Sequence, residues 1–247
     1  SMARTCVFIR SLTLGGAEKQ ATLLAHALQA AHEVQMLVLS AADASARHTG
    51  FLAEHGIRCT FLPDGRLRKL RALRAHLVRE RIQALFCFLP SDSVLGALVG
   101  RAAGVERIFC GLRNARMPAR KERALRFVHN HVADLTISNS HAAAEHFCRR
   151  GFAPAKMRVV PNGIFLAPRV PPRAAAPVVE LLTAARFVPE KDHALALAAL
   201  RLVLDAGVPA SEVRYRMVGS GPMESHLRGR VAELGLQASV ELTIDPG

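Results

Sequence analysis

The chain has 247 residues, half of them hydrophobic, with a formal net charge of +13 and five scattered cysteines. This composition excludes a disordered chain, and no apolar run reaches the roughly 18 residues that a membrane-spanning helix needs. The cysteines form no Cys-x-x-Cys pair, which is typical of a reduced, cytoplasmic protein. The positive charge suits an anionic partner, and an arginine-rich genome is the alternative explanation; with one tyrosine and no tryptophan, stacking on nucleic-acid bases is disfavoured.

Short β-rich runs alternate with longer helical patterns through the first two thirds of the chain. The runs predicted as strands are, in order, TCVFIRSL, EVQMLVLS, IRCTFLP, ALFCFLP, RIFCGLRN, LTISNS and MRVVPNGI. Continuous apolar strands separated by helices predict a parallel sheet covered on both faces, and right-handed crossovers favour a doubly wound topology. Residues 1–164 are therefore predicted to form one complete Rossmann-like α/β domain.

The composition of the sequence changes after this domain. FLAPRVPPRAAAPV has four prolines and almost no periodicity, which predicts a hinge over residues 165–177. Beyond it the alternation resumes with VVELLTAARF, a helix from 189 to 207, VRYRMVG, a helix from 223 to 235, and SVELTI. Residues 178–247 are therefore predicted to form the first part of a second, incomplete Rossmann-like domain.

Two glycine-containing turns follow predicted strands. Gly15 and Gly16 lie after the first strand, and Gly219, Gly221 and Pro222 follow VRYRMV. Glycine allows close approach to the backbone and a helix N-terminus favours an anion, so both turns predict phosphate contacts. Neither has the third glycine of a dinucleotide fingerprint, and no P-loop motif occurs, which excludes both of those readings. Glu18 has a competing interpretation as a residue that compensates the helix dipole.

Further polar residues lie at the predicted carboxyl edges of the two sheets. Arg186 ends a strand and Lys191 opens a helix beside the Gly219 turn, so the two cations could clamp a diphosphate or be solvated loop charges. Asn139 and Ser140 end LTISNS, where they could contact a polar ligand or cap the next helix. The eleven histidines show no metal-binding spacing, and no nucleophile elbow occurs, so neither a metal nor a cofactor is expected.

A basic helix is predicted from residue 66 to 82. Its leucines at 67, 70, 73 and 77 follow one side, and seven Lys or Arg residues occupy the rest. The alternatives are a leucine stripe facing the core with a solvated basic face, a contact with an anionic membrane surface through 66–81, or a nucleic-acid groove.

The ordered series GGAEKQ, ISNS, VVPNGI, ARFVPEKDH and MVGSGPMESHL resembles family 4 of the retaining glycosyltransferases with the GT-B fold. The resemblance extends from about residue 5 to 244. It implies a metal-independent enzyme without a cofactor. Such an enzyme transfers a sugar, with retention, from a UDP- or GDP-linked donor to a polysaccharide, glycolipid or lipopolysaccharide acceptor. It also favours a cytoplasmic location, peripheral at the inner face of the plasma membrane.

The resemblance also implies roles for particular residues. Arg186 and Lys191 match the cationic pair that binds the donor diphosphate and stabilises the departing phosphate, a role suited to a developing negative charge. Donor-binding positions match Gly15, Gly16, Gly219, Gly221 and Pro222. Cleft or acceptor positions fall on Arg113, Asn114, Asn139, Ser140 and Asn162, with Gly163 in the turn that leads to the hinge.

The sequence departs from the family in two respects. CGLRN replaces a frequent histidine with Arg113 and Asn114, and an arginine there suits a phosphorylated or polyprenyl-linked acceptor. The family's Glu-x7-Glu motif should follow the Gly-x-Gly-Pro turn but is not reached, so the second domain is expected to be cut short and the chain inactive alone. A nucleotide-sugar epimerase of the same fold and a non-enzymatic basic module remain as alternatives.

Overall fold

The structure is a computed structural model that describes residues 2–113, 117–164 and 177–244. The chain divides into two compact units, one of residues 1–166 and one of residues 167–247. The boundary lies within the predicted hinge, of which residues 165–176 are outside the described part. Each unit is considered by itself below.

The first unit is built on a parallel sheet. Its described strands are β1 (Arg4–Ile9), β2 (Glu33–Val38), β3 (Arg58–Phe61), β4 (Ala84–Cys87), β5 (Arg107–Leu112), β6 (Leu135–Ser138) and β7 (Met157–Val159). They are arranged in the order β3-β2-β1-β4-β5-β6-β7, every pair parallel. The order reverses between β1 and β4, the position at which doubly wound sheets open a crevice at their carboxyl edge. The predicted fold class is confirmed.

Helices cover both faces of this sheet. They are α1 (Gly16–Leu28), α2 (Ala46–Glu54), α3 (Arg66–Arg79), α4 (Pro90–Ala102), α5 (Ala119–His131) and α6 (His141–Arg149). Alternate side chains of β1 explain the two layers: Val7 and Ile9 pack with α1 and α2, whereas Phe8 packs with α3 and α4. Because both faces of the strands are buried, the strands read as continuous apolar runs.

The second unit repeats the same architecture on a smaller scale. It contains β8 (Val179–Ala184), α7 (His193–Asp205), β9 (Val213–Gly219), α8 (Glu224–Glu233) and β10 (Val240–Ile244). The described strands are parallel in the order β10-β9-β8. Its core is formed by residues such as Phe187, Leu197 and Met217, all inaccessible to solvent.

Two predicted helices differ from the observed ones. The predicted helix at 189–207 divides into a 3-10 turn, Pro189–Lys191, and α7, because Asp192 adopts a left-handed conformation (φ 45°, ψ 45°) between them. The predicted helix at 66–82 ends at Arg79, and Arg81 has a positive φ of 51°. A left-handed residue interrupts a right-handed helix. Asp adopts this conformation more readily than most residues, but neither Asp192 nor Arg81 is a glycine, the residue that usually marks it in a sequence.

Candidate functional site

Two loops leave the carboxyl edge of the second sheet side by side. The parallel pairing of β8 with β9 sets Ala184 against Val218, so the segments that follow both strands start at the same level. The Phe187 N–H donates to the Ser220 carbonyl at 2.8 Å, and the Met223 N–H donates to the Phe187 carbonyl at 3.0 Å. Main-chain hydrogen bonds therefore join the Arg186 loop to the Gly219–Pro222 turn.

The glycines of this turn are required by the packing of the two loops. A Cβ on Gly221 would lie 2.9 Å from the Phe187 carbonyl carbon and 3.0 Å from its nitrogen, and one on Gly219 would overlap the Ala185 carbonyl. Both glycines also have positive φ, 158° and 152°. The sequence interpretation assigned them to the approach of a ligand, but the space beside each is filled by neighbouring backbone. Their presence alone therefore does not indicate a ligand.

Two exposed cations flank this pair of loops. Arg186 follows β8, and Lys191 ends the 3-10 turn that precedes α7. The loop that carries Arg186 is held by His193, which is buried and whose Nε2 lies 2.9 Å from the Arg186 carbonyl oxygen. A carbonyl only accepts, so this nitrogen carries the proton. His193 also packs edge-on against Phe187, with ring centroids 5.2 Å apart.

His193 was missed as a site residue because its burial depends on packing within the unit. Its sequence signal was its place in ARFVPEKDH, directly after the two cations. A cavity of about 200 Å³ opens beside it, lined by Val188, Pro189, Asp192, His193, Ala194, Met223 and Leu227. Residues in the first turns of α7 and α8 line this cavity, and Arg186 and Lys191 lie in the segment between β8 and α7 at the same sheet edge. Cations and helix N-termini are groups that can bind a phosphate.

The first unit presents a different arrangement at Gly15 and Gly16. Gly15 is the extended N-cap of α1, and Glu18 turns back toward it, where the Thr13 hydroxyl donates to Glu18 Oε1 at 3.2 Å. A Cβ on Gly15 would overlap the Glu18 carboxylate, whereas Gly16 has open space around it. Glu18 is buried. The carboxylate therefore compensates the helix dipole at this terminus, the alternative interpretation given for it above.

A side-chain amide ties α1 to the end of the first unit. Gln20 Nε2 donates to the Gly163 carbonyl at 2.7 Å, and the Gly163 N–H donates to Gln20 Oε1 at 2.8 Å. The Asn162 side chain accepts from Arg113 Nη1 at 2.7 Å. Asn162, a predicted site residue, is therefore fixed by Arg113, and Gly163, in the turn that leads to the hinge, is fixed by Gln20. Gln20 was not identified from the sequence, where only its place in GGAEKQ marked it.

The Arg113 side chain contacts two other residues of the first unit. Its guanidinium carbon lies 4.1 Å from the centre of the Phe88 ring, in addition to the bond to Asn162. Partial burial lowers the pKa of Arg113, and its Nε has no hydrogen-bond partner among the residues that the structure describes. The predicted acceptor role of Arg113 remains a prediction, and Asn114 lies outside the described residues.

Ser140 and Asn139 follow β6. The Ala143 N–H donates to Ser140 Oγ at 3.4 Å, so Ser140 caps α6. Asn139 is half-buried at the carboxyl end of the strand. Of the two roles that the sequence left open, capping is the one that the geometry gives to Ser140.

A buried carboxyl group lies at the same edge, near the reversal of strand order. Asp92, in the first turn of α4, accepts the Arg10 N–H at 3.0 Å and the Ser91 hydroxyl at 3.3 Å. Only 1% of the residue is exposed, and burial raises its pKa to about 7. The sequence analysis did not single out Asp92, because nothing in PSDS indicates burial.

Metal-ligating residues do not gather in the described ranges, where no group of three or more His, Cys, Asp and Glu could hold an ion. His129 is instead bonded to the Thr136 hydroxyl at 2.7 Å and to the Ala153 carbonyl at 3.0 Å. All five cysteines are free thiols, and burial raises the pKa of Cys6 and Cys110 to about 12. In residues 2–113, 117–164 and 177–244, no helix is both long and apolar enough to cross a membrane.

Several solved glycosyltransferases of the GT-B fold have this architecture. HepE from Anabaena, crystallised with UDP-glucose, superposes with a TM-score of 0.78 at 18% identity, over 99% of this chain and 69% of that one. WaaB, a lipopolysaccharide outer core galactosyltransferase, gives 0.72 at 16% identity, over 98% and 68%. TarM from S. aureus, crystallised with UDP, gives 0.73 at 9% identity, over 98% and 77%. At these identities the likeness shows the fold.

The family follows from the sequence match. The model of Glycosyltransferase Family 4 matches residues 14–167, well over half of the chain. The chain belongs to Glycosyltransferase Family 4, as its ordered motifs predicted. No curated protein matches it by sequence.

Proposed function

We propose that this protein transfers a sugar, with retention and without a metal ion, from a nucleotide sugar to a glycan or lipid-linked acceptor. The observation that carries the proposal is the main-chain joining of the Arg186 loop to the Gly219–Pro222 turn at the carboxyl edge of the second sheet, with Lys191 five residues further on before α7, in a chain of Glycosyltransferase Family 4. HepE, of the same fold, was crystallised with UDP-glucose, which favours a uridine nucleotide over a guanosine nucleotide.

Each cation has a defined task in this proposal. Arg186 presents a planar set of donors suited to two phosphate oxygens, and Lys191 adds a point charge. Negative charge grows on the diphosphate as the bond to the sugar breaks, so both cations stabilise the transition state more than the ground state. The His193 bond to the Arg186 carbonyl holds the main chain that carries the guanidinium.

In the first unit, the proposal assigns residues to the sugar and the acceptor. Gly15 and Gly16 are proposed to contact the donor, with Gly16 the more open of the two. Four proposed cleft residues share the carboxyl edge of the first sheet: Arg113, Asn139, Ser140 and Asn162. Asn114, which lies outside the described residues, is proposed with them. A polysaccharide, glycolipid or lipopolysaccharide precursor is the proposed acceptor class.

Calorimetry with UDP, GDP and their glucose conjugates, in the presence of EDTA, tests donor binding. One base should bind selectively. Arg186→Ala and Lys191→Ala should each weaken binding by at least about tenfold, the loss expected for one charged hydrogen bond. Arg201→Ala removes an equal charge from α7 and should leave the affinity within about twofold, because that residue pairs with Asp205 on the helix surface.

Transfer itself is tested with a labelled donor: the 247-residue chain is expected to form no product alone, and the anomeric configuration is read by NMR from the product of a chain that also carries the Glu-x7-Glu motif. Loss of binding in EDTA would contradict the proposed metal independence. Equal affinity for all nucleotides would contradict a specific donor site, and an inverted product would contradict retention. Equal weakening by Arg201→Ala and Arg186→Ala would mean that the cations act through net charge alone.

A further inference from the structure

Three neighbouring helices of the first unit form one outer layer. α4 packs beside both α3 and α5 on the same face of the sheet. Their inward side chains, such as Leu73, Leu77 and Val128, are buried against the strands. The opposite sides of these helices form the outer surface of this layer.

The outer side of α3 is not an ordinary solvated face. Leu67, Arg71, Arg74 and Val78 follow one stripe, spaced by four, three and four residues, opposite the buried Leu73. Leu67 is 70% exposed and Val78 49%. Of the alternatives for this helix, the leucine stripe facing the core does not hold in its first turns, where Leu67 and the 38%-exposed Leu70 are exposed. A solvated face should be polar throughout, whereas this stripe mixes apolar side chains with arginines.

The neighbouring helices continue this pattern. Leu98 on α4 is 46% exposed and Phe127 on α5 is 57% exposed. Arg74, Leu98 and Phe127 each lie eight residues after the first residue of their helix. Because the three helices run parallel and all begin at the carboxyl edge of the sheet, these three residues lie at the same height above that edge. We call the surface defined by Leu67, Arg71, Arg74, Leu98, Arg123 and Phe127 the α3–α5 face.

The charges of this face are available to a partner. Within residues 2–113, 117–164 and 177–244, no ion pair involves Arg71, Arg74 or Arg123, although the structure pairs many other arginines, Arg79 and Arg101 among them. The helix α3 contains no acidic residue. Arginines without counter-charges, between exposed aliphatic and aromatic side chains, suit a partner that is anionic outside and apolar beneath.

We propose that the α3–α5 face docks on an anionic phospholipid surface, with the arginines at the headgroups and Leu67, Leu98 and Phe127 in the boundary with the acyl chains. Duplex nucleic acid matches the arginines only, because it offers no apolar layer for the exposed side chains. The proposal extends the membrane contact expected for one basic helix to a surface of three. It does not depend on the sugar chemistry, so it can fail while the proposed function stands.

Co-sedimentation of the full chain with vesicles tests the contribution of the arginines to membrane binding. Vesicles with phosphatidylglycerol should bind the protein at least about tenfold more strongly than pure phosphatidylcholine, and binding should fall as salt is raised. Arg71→Glu/Arg74→Glu should weaken binding by at least about tenfold. The control, Arg47→Glu/Arg107→Glu, makes the same change in net charge on exposed residues away from the face, and should change binding by less than about threefold.

A second pair of variants tests the contribution of the exposed apolar side chains to membrane binding. Leu67→Gln/Phe127→Gln should weaken the binding that persists at high salt, whereas Leu195→Gln/Leu202→Gln, on equally exposed positions of α7, should not. Circular dichroism verifies that each variant is folded. Equal losses in both charge pairs, no effect of the Leu67→Gln/Phe127→Gln pair, or tighter binding to duplex DNA than to vesicles would overturn the proposal.

Discussion

Replacing Gly221 by alanine separates a packing role from a ligand role. The new Cβ would lie 2.9 and 3.0 Å from main-chain atoms of Phe187, well inside ordinary contact, and the positive φ of 152° disfavours any side chain. Overpacking costs about 1–3 kcal/mol and a residue in a sparsely populated conformation about 1–3 kcal/mol more. Gly221→Ala should therefore lower the free energy of unfolding of the second unit by about 2–6 kcal/mol.

The second unit carries its own optical probe for this measurement. Tyr215 is the single tyrosine of a chain without tryptophan, is buried, and has its hydroxyl 2.8 Å from that of Thr183. Tyrosine fluorescence during urea unfolding therefore reports the second unit alone. The control is Gly229→Ala in α8, where a Cβ meets nothing within 4 Å and should stabilise the helix by about 0.5–1 kcal/mol.

A free energy of unfolding of Gly221→Ala within about 0.5 kcal/mol of the unchanged protein, the usual range for a neutral surface substitution, would refute the packing role of Gly221. If that variant also lost nucleotide affinity, Gly221 would serve the ligand and not the fold. If stability and affinity fell together, the folded fraction at the assay temperature would distinguish the two causes.

Two further predictions concern the first unit. Gln20→Ala removes both bonds to Gly163, so the Gly163 amide should exchange at least about fivefold faster with deuterium; Gln29→Ala, which removes an amide bond at the other end of α1, should leave that exchange unchanged. Asp92 releases its proton near pH 7 when folded but near its ordinary value of 3.8 when unfolded, so it lowers stability as pH rises between these values. Asp92→Asn should thus be increasingly stabilising from pH 4 to 8, by up to about 4 kcal/mol, in unfolding followed by circular dichroism. A pH-independent difference would contradict the assigned protonation.

The fold was predictable from local patterns because both faces of the strands are buried. Runs such as CVFI, flanked by amphipathic stretches, are explained by a parallel sheet covered by helices, and the crossover rule then leaves few topologies. The positions of Arg186 and Gly219 at one sheet edge followed from the same rule. Their family assignment required the motifs in order, since each motif alone is weak.

What escaped prediction depends on contacts distant in sequence. Gln20 meets Gly163 across 143 residues, and Asp92 is buried by the β1 end and its own helix, so neither has a local signal. Leu67 shows the opposite error: helical periodicity placed it with Leu73 and Leu77, but Leu67 is exposed in the first turn of α3, whereas Leu73 and Leu77 are buried. Periodicity gives the face of a helix, and only the tertiary neighbours give its burial.

The Gln20 amide has a consequence for the order in which the first unit assembles. Gln20 lies in α1, and Gly163 follows β7, the last strand of the unit. Contacts of long sequence separation carry a large loop-closure cost, so we expect this pair of hydrogen bonds to form late in the folding of the unit. We expect the same bonds to be the first released when the native state opens locally, so that partial unfolding of the unit begins at the segment that leads to residue 165.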